Sequence, residues 1–86
     1  MASISVTSLG DNLFNVCVSA QTTTLHKVTV RPEYATNLLK PNESIAQLVE
    51  RSFVFLLARE PNTSILRAFD LSMIGRYFPE YEQNMR

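Results

Sequence analysis

Over its first thirty residues the chain alternates apolar and polar side chains with a period of two. Ile4 and Val6 stand among Ser3, Ser5 and Thr7; Phe14, Val16 and Val18 stand among Asn15, Cys17 and Ser19; Val28 and Val30 stand among Lys27, Thr29 and Arg31. Alternation of this kind, rich in β-branched residues, predicts strands with one apolar and one wet face. "SLGDN" supplies Gly, Asp and Asn for a first turn and "SAQTT" a second connection. Three strands joined so closely are expected to form an antiparallel meander.

From Pro32 the spacing becomes helical. Proline has no N–H to leave unsatisfied in a first turn, and Glu33 suits the positive end of a helix. Tyr34, Ala35, Leu38 and Leu39 then share one side, and Pro41 stops the segment by Lys40. A second helix follows, with Asn42 or Ser44 as cap and Ser44 and Gln47 at capping-box spacing. Its apolar stripe runs through Ile45, Leu48, Val49, Phe53, Leu56 and Leu57 up to Pro61. Val54, Phe55 and Ala58 lie off that stripe, so its last turns need cover on two sides.

"NTSILRAFDLSMIGRYFPEY" predicts a third helical segment, capped at Asn62, Thr63 or Ser64 and carrying Ile65, Leu66 and Phe69. Asp70 recaps a further turn or two through Leu71, Ile74, Tyr77 and Phe78, ended by Pro79. The fold expected is α+β: a three-stranded antiparallel meander followed by three or four helices packed on one face. Residues 1–80 form its single domain, and 81–86 are expected to be a flexible tail.

With 86 residues such a domain has a small core and gains from an added support. A disulfide needs a second cysteine, and Cys17 with His26 falls short of a zinc ligand set. No metal or cofactor is expected, and the remaining support is a second subunit. "MASISVTSLG" lacks a basic region and a long apolar run, so the chain is expected to be cytoplasmic, and "FVFLLA" is too short to span a membrane. Eight cations balance eight acids, which removes any overall attraction to nucleic acid or anionic lipid. Yet residues 1–26 carry a single charge, Asp11.

The motifs of nucleotide binding and of the nucleophile elbow, G-x-x-x-x-G-K-[ST], G-x-G-x-x-G and G-x-S-x-G, are absent from the sequence. Cys17 and His26 are the pair that could form a nucleophile and base, but strand parity separates them. Burying Phe14, Val16 and Val18 with Val28 and Val30 turns His26 inward and Cys17 outward. The acids are spread along the chain and the arginines Arg51, Arg59, Arg67 and Arg76 recur at helix surfaces, where both read as solvated charge. The chain is therefore not expected to be an enzyme.

Two resemblances bear on function. "SFVFLLARE" with "ILRAFDLSMIGRYFPEYE" looks like the end of a family of small uncharacterised bacterial proteins, which implies a compact bacterial domain. "KVTVRPEYATNLL" followed by "ESIAQLVERSFVFLLARE" resembles the ribbon-helix-helix repressors and antitoxins. That resemblance implies that two copies pair the strand antiparallel and lay Lys27, Thr29 and Arg31 on base edges. It also implies a phosphate at the start of the second helix, near Asn42 to Ile45. The same alternation suits the wet face of a half-covered sheet. The function expected is accordingly a small interaction module or homodimer, binding itself or another protein, with Val54, Phe55, Tyr77 and Tyr81 as interface candidates. The alternative is a ribbon-helix-helix-like DNA-binding regulator or antitoxin.

Overall fold

A computed structural model describes residues 2–86. In it β1 (Ser3–Gly10), β2 (Leu13–Ser19) and β3 (Thr23–Thr29) form the expected antiparallel meander. Asp11 and Asn12 connect the first pair with φ of 52° and 63°. Two successive positive φ values are what a two-residue hairpin turn requires, and Asx side chains tolerate them. Gly10, at φ 85°, sits where the register shifts in a bulge.

The helices follow the local signals. α1 (Pro32–Thr36) has Pro32 in its first turn. α2 (Ile45–Leu57) begins at a complete capping box: Ser44 Oγ accepts from the Gln47 N–H at 3.1 Å and Gln47 Oε1 from the Ser44 N–H at 2.9 Å. Asn42, the other cap candidate, instead takes a positive φ of 63° in the preceding turn.

The sheet departs from the expectation. It has four strands in the order β1-β2-β3-β4 and is mixed, because β4 (Ala68–Asp70) pairs parallel with β3. The segment expected as a third helix gives only a 3-10 turn at Asn62–Ser64 before β4, then α3 (Met73–Tyr77). The reason is tertiary. On the far side of β3 from β2, the Lys27 N–H and the Thr29 carbonyl would have no partner; they bond to the Arg67 carbonyl at 2.8 Å and the Leu71 N–H at 2.9 Å. A helix through Arg67 would have kept those groups for itself, and satisfying a strand edge outweighs a weak local preference. Asp70 does not cap α3, whose N-cap is Ser72; it ends β4, and its Oδ1 accepts from the Ser72 N–H at 3.0 Å and hydroxyl at 2.8 Å in the turn between them.

The helices cover one face of the sheet over a core that includes Val16, Val18, Val28, Leu48, Phe53 and Leu71. The C-terminal residues also belong to it. Rather than a loose tail, Tyr81–Met85 form α4, with Tyr81 and Met85 buried. Tyr81 packs edge-on against Phe55 at 5.2 Å and donates its hydroxyl to Ser52 Oγ at 2.7 Å, while Ser52 donates to the Leu48 carbonyl. Burial pushes the Tyr81 phenol up to about 12.

Candidate interaction surfaces

Most polar chemistry of the interior is satisfied within the fold. Leu66 O can only accept, so His26 carries its proton on Nδ1, 2.7 Å away. Nε2 is then an acceptor and takes the Thr24 hydroxyl at 2.8 Å; Thr24 Oγ1 accepts in turn from Asn62 Nδ2 at 2.9 Å. Asn62 also donates to the Thr22 carbonyl at 2.8 Å. This relay runs in one direction only when His26 is neutral. Burial holds its pKa below the ordinary value, the charge on Arg67 acts the same way, and the Leu66 carbonyl opposes them. Among the described residues every buried side-chain nitrogen and oxygen has a partner. His26 therefore clips the β4 approach to the sheet. Cys17, half exposed on the opposite face, is not in reach of it, as parity requires.

Arg51 is a second clasp and not the solvated charge its spacing suggests. Its Nη2 reaches Glu43 Oε1 at 2.9 Å and the Leu38 carbonyl at 3.2 Å, and Nη1 reaches the Met85 carbonyl at 3.0 Å. One planar fork joins the segment after α1, the turn before α2, and α4. The guanidinium hydrogen bond holds the Glu43 carboxyl below its ordinary range. Arg59 lies over the Phe55 ring, 3.6 Å from its centroid, and pairs with Glu80 at 3.2 Å.

Three surfaces remain. The open sheet face presents Ser3, Ser5, Thr7, Lys27 and Thr29, and Leu25, 54% exposed, stands among them. Lys27 and Thr29 thus face outward as expected. Arg31, also exposed, pairs with Asp70 of β4 at 3.4 Å. β4 occupies the β3 edge along Lys27–Thr29, so the strand carrying these residues is paired on both sides.

The second surface is an open cavity of about 370 Å³ between the end of α2, β4 and α3, bordered by Leu56, Leu66, Phe69, Tyr77 and Phe78. Of the four interface candidates, Tyr77 is exposed at its rim and Val54 is exposed on α2, whereas Phe55 and Tyr81 are buried in the core. Of Val54, Phe55 and Ala58, for which cover was expected, only Phe55 has it, from Tyr81; Val54 and Ala58 stay exposed.

The third surface is the free edge of β1, one of the two edges that the expected meander leaves exposed. Backbone parity locates it. Lys27 and Thr29 direct their N–H and C=O groups toward β4, so His26 and Val28 direct theirs to β2. By the same alternation Asn15, Cys17 and Ser19 bond to Thr7, Ser5 and Ser3. The N–H and C=O groups of Ile4, Val6 and Ser8 therefore point outward, and among the described residues no backbone group bonds to them.

No family model, no curated protein and no solved structure matches this chain. Among the described residues no helix is long and apolar enough to cross a membrane, and no three metal-ligating side chains come together.

Proposed function

We propose that the chain is a small cytoplasmic interaction module without enzymatic activity, acting as a homodimer. The observation that carries this reading is the state of β1. It is eight residues long and free of charge and proline, yet it lies at the end of the sheet with Ile4 and Val6 only partly buried. Edge strands that remain alone are usually short, charged or interrupted, because an open row of backbone groups recruits another strand.

The ribbon-helix-helix reading draws support from the outward Lys27 and Thr29. It requires the β3 edge for pairing with a twin, however, and that edge carries β4; Arg31 is engaged by Asp70. The dimer reading needs neither group. Light scattering at tens of micromolar is expected to give twice the chain mass, and a strict monomer would remove the reading. Nanomolar, sequence-selective DNA binding lost in Lys27→Ala with the fold retained would restore the alternative.

A further inference from the structure

Resting on the homodimer reading, we propose that the seam is the β1 edge itself, paired antiparallel with β1 of a second copy about a two-fold axis at Ser5. The groups that make the bonds are the free N–H and C=O of Ile4 and Val6, which point away from β2. In this register Ile4 lies opposite Val6 of the other chain, and Val6 opposite its Ile4. Two half-buried apolar pairs then cover each other on the inner side of the joined sheet. On the outer side Ser5 meets its own equivalent, and Ser3 meets Thr7.

The occupant is a second copy because the edge is self-complementary. Antiparallel reversal of Ile4-Ser5-Val6 sets apolar against apolar and hydroxyl against hydroxyl. β1 is also free of charge, so two copies approach without repulsion. A register moved by one pair, centred on Val6, would oppose Ile4 to Ser8 and run Ala2 into the bulge at Gly10. The Ser5 register keeps the whole seam between Ala2 and Ser8, ahead of the bulge.

Packing extends the contact beyond the backbone. α2 packs against β1, and an axis perpendicular to the sheet keeps both helical layers on one side, bringing the two α2 helices alongside each other. The interface is isologous and closes at two chains. Growth from the other end is disfavoured, since β4 is three residues long and carries Asp70.

The test uses a symmetric position. Across a non-hydrogen-bonded antiparallel pair, Cβ atoms lie about 5 Å apart, close enough for a disulfide. Cys17 neighbours Ser5 within the chain, so Ser5→Cys is made in a Cys17→Ser background. Mild oxidation is expected to give a covalent dimer on a non-reducing gel, whereas Ser3→Cys in the same background is not. Ser5→Lys places two ammonium groups face to face while leaving the exposed side chain outside the core, and is expected to raise the dimer dissociation constant about tenfold. A dimer that survives Ser5→Lys unchanged and does not cross-link at Ser5→Cys would overturn the seam but leave the homodimer standing. A monomeric parent protein would overturn both, and a mass above two chains would overturn the closed arrangement.

Discussion

The two edges of one sheet are treated differently. At β4 the last strand is short, follows a loop fastened from inside by His26, Thr24 and Asn62, and is flanked outside by the Arg31–Asp70 pair. At β1 the last strand is long, uncharged and open, and its inward side chains are incompletely covered. At one end the chain's own short strand covers the β3 edge and ends the sheet; at the other a long strand ends it with no cover. The difference teaches that polar groups in a small domain can serve topology. The histidine and the asparagine hold a parallel strand that the sequence around it does not demand.

The largest expected way to break this contrast is His26→Ala. Removing the ring leaves a cavity and strands the Thr24 hydroxyl and the Leu66 carbonyl, at a cost of about 3 kcal/mol. Chemical denaturation measures that loss. Hydrogen exchange should show the Lys27 and Leu71 amides, which bind β4 to β3, released while those of Ser5 and Thr7 stay protected. Uniform loss of protection would mean that the clip is not local.

Exchange in the parent protein sharpens the comparison at the other edge. In dilute monomer the amides of Ile4 and Val6 should exchange about tenfold or more faster than those of Ser5 and Thr7, which bond to β2. Raising the concentration should close the gap. If Ile4 and Val6 are protected at every dilution, the β1 edge is not open.

Mild acidification addresses the β4 side first. The unfolded chain takes up a proton on His26 near its ordinary value of 6.5, whereas the buried ring resists protonation. The folded state thus binds fewer protons, so this stability is present above pH 6.5 and is lost as pH falls from there toward the depressed folded value. The melting temperature should decline between about pH 7.5 and 5.5, and His26→Gln should flatten that slope. Glu43, whose carboxyl is held low by Arg51, adds its own loss only at more acidic pH, below its ordinary value of 4.5.

Arg31→Ala should do least. Its ion pair with Asp70 has a guanidinium side chain that is 58% exposed, and exposed pairs contribute under about 1 kcal/mol. Thermal melts should move by little, and β4 should remain in place. A large loss would shift the closure of this edge from the buried relay to the surface pair.

Much of the fold was legible from local rules. Alternation marked β1, β2 and β3, the Asp11-Asn12 turn marked the first hairpin, and Pro32 and the Ser44–Gln47 box marked the helix starts. Parity also separated Cys17 from His26 correctly. The departures in secondary structure begin at Asn62. Ile65, Leu66 and Phe69 satisfy helical spacing, and nothing local says that β3 has unpaired groups waiting for Arg67 and Leu71. "EYEQNMR" reads as a polar tail because its two buried residues, Tyr81 and Met85, are too few to signal a helix; their partners, Ser52, Phe55 and Arg51, are distant in the chain. Phe55 and Tyr81 were expected at an interface for the same reason, since each is the other's cover.

By itself, then, the sequence determined which side chains of β1 to β3 face in and where α1 and α2 begin, because those features depend on neighbours a few residues apart. Tertiary structure alone decided that β4 joins β3, that His26 and Arg51 act as clasps, and that of the meander's two edges it is β3 that is covered. These depend on backbone groups and side chains left without partners until distant segments meet, and a hydrogen bond across forty residues leaves no periodicity in the chain that makes it.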